Sequence, residues 1–151
     1  MKILIEIYNQ ILASPKVPPE SGGILGTSDR KNIDYVVFDR GLSKENGGIY
    51  IPNIDFLNRA IEKWSMMGIE FCGIFHTHVS QWSILSNKDK EYIIDIINAM
   101  PSNVRLLYFP LVFPGENMKG YIAERRGGAV NIIDDDIEIV KEEERQNERN
   151  K

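Results

Sequence analysis

The sequence predicts an α/β domain in which a mixed β-sheet lies between helices. Three observations carry that prediction. The chain has 151 residues and is 42% hydrophobic, enough for one sizeable core. Apolar residues recur at helical spacing in two stretches, 53–67 and 86–100. Between them, Glu70 to His76 is so nearly all apolar that it suits a strand buried on both faces. Strands, helix, buried strand, helix, strands is the order that a sheet between helices satisfies most economically.

Lys2 to Ala13 is short and mixed, and reads equally as a strand or a helix, with Ile3, Ile5, Ile11 and Leu12 able to face a core. Pro15, Pro18 and Pro19 then impose extended backbone. Glu20-Ser21-Gly22-Gly23-Ile24-Leu25-Gly26 follows as a strand whose glycines let another backbone approach closely. Asp34 to Asp39, β-branched and aromatic, is a second strand. Gly41 to Gly48 is a loop, and Ile49 to Ile51 is a candidate short strand. In the first helix Ile54, Leu57, Ile61 and Trp64 share a face, and Gly68 supplies the stop. The second helix runs from Ser86 to Met100 and ends at Pro101. Arg105 to Phe113, Lys119 to Arg125 and Ala129 to Val140 read as three strands, with turns at Pro114-Gly115 and Gly127-Gly128. The domain thus spans 1–140. Residues 141–151 are almost wholly charged or amide, have no core face, and are expected to be a solvated helix extension or a disordered tail.

Composition excludes several functions. A net charge of −4 argues against a nucleic-acid surface. No segment approaches the ~20 apolar residues of a membrane span. The first twelve residues are broken by Glu6, Asn9 and Gln10 and are no secretory signal. A single cysteine, Cys72, excludes an internal disulfide framework and any zinc site built from several thiolates, so a reducing, cytoplasmic setting is expected. On a buried strand, Cys72 reads as a core thiol, because apolar burial suppresses the thiolate. Asp134-Asp135-Asp136 with Glu138 lacks the spaced ligands and loop glycine of a calcium site and reads as a solvated strand edge. Gly22-Gly23-x-x-Gly26 lacks the lysine of a phosphate loop. No feature of the sequence indicates an oligomeric state.

What remains is a constellation around the only two histidines, His76 and His78. Two apart on a strand, they share a face, with Cα atoms ~6–7 Å apart, and can converge on one ion if the strand continues that far. The alternative is a histidine pair that caps the strand and hydrogen bonds locally. On the second helix Ile93, Ile96 and Met100 fall within ~40° of Asp89, so Asp89 lies inward together with Ser86. A carboxylate there is costly unless it is paired or binds a metal, and neither Lys88 nor Lys90 shares its face. Ser86-Asn87-Lys88-Asp89 is equally a helix N-terminus, with Ser86 as cap and Asp89 answering the helix dipole; the two roles are compatible. His, His and Asp form an open zinc set that leaves one position for water. Glu20 could take a proton from that water, or could be one solvated acid among 22. A zinc deaminase is disfavoured, since its Pro-Cys-x-x-Cys pair cannot be made from one cysteine.

Glu20-x-x-Gly23-Ile24-Leu25-Gly26, then Gly73-Ile74-Phe75-His76-Thr77-His78, then seven residues and Ser86-x-x-Asp89, resemble the JAMM (MPN) metallopeptidases. The resemblance implies a cytidine-deaminase-like three-layer sandwich and a Zn2+ cofactor held by His76, His78 and Asp89, with a water as fourth ligand. Glu20 would be the general base and then the proton donor to the leaving amine, and Ser86 would hydrogen bond the oxyanion or the water. The implied substrate is a protein or peptide, often the C-terminal tail of a ubiquitin-like protein, with neither nucleic acid nor membrane as partner. The family usually carries proline after the second histidine and before the serine, where this chain has Val79 and Leu85. Trp82 and Ile84 make the intervening loop unusually apolar, a lip for substrate or partner. The rival reading is an MPN-like module that binds a protein partner without cleaving it.

Overall fold

In the computed structural model, residues 1–42, 48–79 and 84–151 are described. The chain opens with both forms that its first residues allow: strand β1 (Lys2–Leu4) runs directly into helix α1 (Ile5–Leu12). Strands β2 (Gly22–Thr27), β3 (Asn32–Ile33) and β4 (Tyr35–Asp39) follow, then helix α2 (Ile54–Met66), strand β5 (Glu70–Thr77) and helix α3 (Asn87–Ala99). The C-terminal half comprises β6 (Leu106–Tyr108), β7 (Leu111–Phe113), β8 (Asn117–Lys119), β9 (Tyr121–Arg126), β10 (Ala129–Asp134), β11 (Glu138–Val140) and helix α4 (Glu142–Arg149). Ile49 to Ile51 forms no strand.

The fold is α/β with a mixed sheet, as the sequence predicts. The main sheet has the order β10-β9-β6-β5-β2-β4, with β7 bridging β5 and β8. At its centre β5 runs antiparallel to β2 and parallel to β6 and β7. A smaller, wholly parallel sheet has the order β11-β1-β3.

Burial on both faces of β5 sets the layers. Ile74 packs with Leu57 and Trp64 of α2 and Ile93 and Ile97 of α3. Phe75 and Cys72 pack on the other side with Ile3, Ile7, Ile11 and Val112. The register slips by one residue along β5: Leu25 pairs with Gly73 but Gly26 pairs with Phe71. This bulge takes up Cys72 and resets the alternation, so Ile74 and His76 share the face covered by α2 and α3.

Two expected strands are each divided. Arg105 to Phe113 breaks at Phe109-Pro110, where proline offers no N–H to a ladder. Ala129 to Val140 breaks after Asp134; β10 stays in the main sheet while β11 joins the small one. Asp135, in this break, pairs with the Met1 ammonium group rather than with solvent alone. Of the two forms expected for residues 141–151, the helix is found. It has no apolar face, yet it is docked. Arg145 is buried, with its guanidinium 2.8 Å from Asp34 and 3.4 Å from Asp29. Among the described residues no helix is long and apolar enough to cross a membrane.

Candidate metal centre

The two histidines occupy the C-terminal end of β5. His76 pairs with Leu111 and Thr77 with Val112 of β7. The ladder continues past the strand's formal end, because the His78 N–H donates to the Val112 carbonyl at 2.9 Å. The strand therefore extends far enough to put both imidazoles on one face. Their rings meet edge to face at 80°, with the two Nε2 atoms 3.2 Å apart.

Helix α3 brings a carboxylate to the pair from its first turn. Asp89 Oδ1 lies 3.4 Å from His76 Nε2, and Oδ2 lies 3.4 Å from His78 Nε2. The same residue closes a capping box. Ser86 N–H donates to Asp89 Oδ2 at 2.9 Å, and Asp89 N–H donates to Ser86 Oγ at 3.1 Å. The helix N-terminus foreseen for the tetrapeptide is formed, and it leaves the Asp89 carboxylate facing both histidines. Ser86 itself is exposed rather than inward, because the cap turns its hydroxyl toward the end of the helix. That hydroxyl accepts in the cap, which leaves its O–H available as a donor.

Glu20 joins from the segment before β2, with Oε2 3.6 Å from His78 Nε2. Its N–H donates to the Gly48 carbonyl at 2.6 Å, and the Tyr50 N–H approaches Oε1 at 3.5 Å. All four side chains are largely shielded from water.

At 3.4–3.6 Å the carboxylate–histidine contacts are longer than ordinary hydrogen bonds. A tetrahedral zinc shell with ~2.0–2.1 Å bonds has ligand–ligand edges of ~3.3 Å. His76 Nε2 and His78 Nε2 lie 3.2 Å apart and each meets a different Asp89 oxygen at 3.4 Å; taking one atom per residue, all three lie within 4.8 Å of one another, so these residues could hold such an ion. Burial acts to raise the Asp89 pKa, but hydrogen bonding and charge from His76, with bonds from Ser86, hold it well below the usual carboxylate range. Cys72 behaves as its burial suggests: desolvation, with Asp34 and Glu70 nearby, pushes the thiol up and keeps it protonated.

Sequence reasoning missed the supports of this centre. Thr77, fully buried between the histidines, hydrogen bonds Ser21. Asp39 Oδ2 accepts the Tyr50 hydroxyl at 2.8 Å and the Asn53 N–H at 2.9 Å, fastening the segment that reaches over Glu20. Both contacts follow from strand register, since Gly22 lies opposite His76 on one side and Asp39 on the other. No local spacing in the sequence announces that. The leucine found in place of proline before Ser86 also has a reason: Leu85 is buried in the core under α3. Of the loop expected to form a lip, Ile84 is 69% exposed and Trp82 lies outside the described residues. A cavity of about 610 Å³ opens between α2 and α3, lined by Leu57, Ile61, Ile74, Tyr92 and Ile96 among others, and by none of Glu20, His76, His78 and Asp89.

No protein-family model matches the chain, and no curated protein does. Solved structures do. The solution structure of a protein from Desulfitobacterium hafniense is similar over 94% of this chain and 95% of that one, with 15% identity and a TM-score of 0.63. A second, from Salinibacter ruber, is similar over 93% of this chain and 92% of that one, with 17% identity and a TM-score of 0.54. At these identities the likeness shows a shared fold along nearly the whole chain, and nothing beyond the fold.

Proposed function

We propose that this chain is a zinc-dependent metallopeptidase or isopeptidase of the JAMM (MPN) kind, with the corresponding cytidine-deaminase-like layering. Its substrate would be the C-terminal tail of a ubiquitin-like or sulfur-carrier protein. The observation that supports this best is the convergence of His76, His78 and Asp89, with one potential ligand atom from each within 4.8 Å of the others, and with the Glu20 carboxylate 3.6 Å from His78. A purely structural ion needs no such neighbour. Zinc in an open site of this kind brings the pKa of a coordinated water toward ~7 and polarises a carbonyl.

The chain's own residues then divide the work. Glu20 Oε2 takes a proton from the attacking water, whose oxygen bonds to the amide carbon. The same carboxyl returns the proton to the departing amine as the C–N bond breaks. Ser86 O–H donates to the oxygen on which charge develops. The apolar cavity between α2 and α3 offers a seat for side chains of the incoming segment.

The decisive experiment pairs metal content with turnover on carrier-tail fusions. Wild type should bind one equivalent of zinc and cleave, and His76→Ala should lose both properties. Glu20→Gln should keep the zinc and lose about 10²–10⁴ in rate. Undiminished cleavage by Glu20→Gln, or after chelation, rules the mechanism out. Absence of stoichiometric zinc would favour a binding module.

A further inference from the structure

We infer that Thr77 is a positioning residue for Glu20: its side chain clamps Ser21 and thereby aims the adjoining carboxylate at the histidine pair. The inference rests on the metallopeptidase reading above. Strand β2 begins only at Gly22, so Ser21 and Glu20 stand beyond the regular ladder, where a chain end ordinarily frays. Here it is held. The Thr77 N–H donates to the Ser21 carbonyl at 2.9 Å, as one more rung would. Thr77 Oγ1 accepts the Ser21 N–H at 2.9 Å, and its O–H donates back to the same carbonyl at 3.3 Å. One threonine thus satisfies both backbone groups of Ser21.

The surroundings make the clamp stiff. Thr77 is 0% and Ser21 8% exposed, so water cannot readily replace these bonds. On the other side of the carboxylate-bearing residue, the Glu20 N–H is fixed to Gly48. Glu20 therefore has its backbone pinned on both flanks while its side chain reaches His78. Strand alternation turns Thr77 away from the face of the histidines, so it meets neither metal ligand nor substrate and acts only through Ser21. Placement matters steeply in such a centre, because a misplacement of ~1 Å can cost ~10²-fold in rate.

The test uses NMR on the full chain labelled with 13C and 15N, with zinc as the only added ligand. Thr77→Val keeps the shape and removes the hydroxyl, and Thr77→Ser restores it. Zinc should shift the imidazole nitrogens of His76 and His78 equally in wild type and both variants. The Glu20 carboxyl carbon, identified by its loss in Glu20→Gln, should shift with zinc in wild type and Thr77→Ser. In Thr77→Val it should shift by less than half as much. An equal Glu20 response in Thr77→Val overturns the inference. Should that variant not fold, the wild type still decides: the Ser21 amide must exchange with solvent as slowly as the amides of β2, and free exchange overturns the clamp. Histidine nitrogens indifferent to zinc in wild type would instead defeat the metallopeptidase reading, and this inference with it. The two failures are read on different nuclei.

Discussion

A Cβ on Gly73 would stand 2.0 Å from the Tyr108 carbonyl oxygen, in the bulged part of the strand that ends in the histidine pair. Gly73→Ala must therefore push β6 away from β5, and overpacking of this kind costs about 1–3 kcal/mol. For a domain of this size that is a fall in Tm of about 2–12 °C, measurable by calorimetry. An unchanged Tm would mean that the two strands are not held so closely. At this scale, legibility depended on locality. His76, His78 and Asp89 could be read because one strand, one loop and one helix turn place them within fourteen positions. Glu20 stood out only through its proline and glycine neighbours. Thr77 and Asp39 did not stand out at all, since their importance comes from partners on other strands. Trp82, inside the same motif, lies outside the described residues.

Among the elements, α2 and α3 were read nearly to the residue. Each combines apolar periodicity with a side-chain cap, Asn53 for α2 and Ser86 for α3. Strands of three residues, such as β6, β7 and β11, carry no such periodicity, which is why β6 and β7 merged into one and β11 was absorbed into β10. The docking of α4 was hidden for a different reason: a helix that packs through charge leaves no hydrophobic pattern. Removing its anchor tests that packing. Arg145→Ala leaves Asp34, whose side chain is 3% exposed, without its cation, and breaking a buried pair this way costs about 3–5 kcal/mol. Denaturant unfolding should show that loss, and a loss below 1 kcal/mol would argue that α4 is only loosely attached. Asp29, the second partner, supplies a pH signature. Burial works to raise its pKa, but hydrogen bonds from Asn32, Lys31 and Thr27 bring it from 3.8 down to about 2. Because the folded value is the lower one, its contribution is complete above the ordinary value and is lost as pH falls toward the folded one. Asp29→Asn should therefore be less stable than wild type at pH 7, with the gap closing between about pH 4 and pH 2. A gap that stays constant over that range would assign the effect to shape rather than charge.

For the molecule as a whole, the proposed ion couples chemistry to stability. Zinc that binds only the folded state, at 100 times its Kd, contributes ~2.7 kcal/mol, or about 5–11 °C in Tm. A thermal melt with and without chelator should show that rise in wild type and abolish it in His76→Ala. An equal rise in both would place the ion elsewhere. The fold class was legible from the order of elements, but the second sheet was not, because parallel pairing between remote segments has no local signature. That small sheet also shapes how the protein is made. Lys2 lies beside Glu138 and Leu4 beside Val140. Translation proceeds at ~5–20 residues per second, so β1 leaves the ribosome on the order of ten seconds before β11 arrives to cover its flank. For that interval one edge of the nascent amino-terminal strand is open to any passing partner. A ribosome that stalls before β11 is made therefore releases a product in which that edge of β1 has no partner strand.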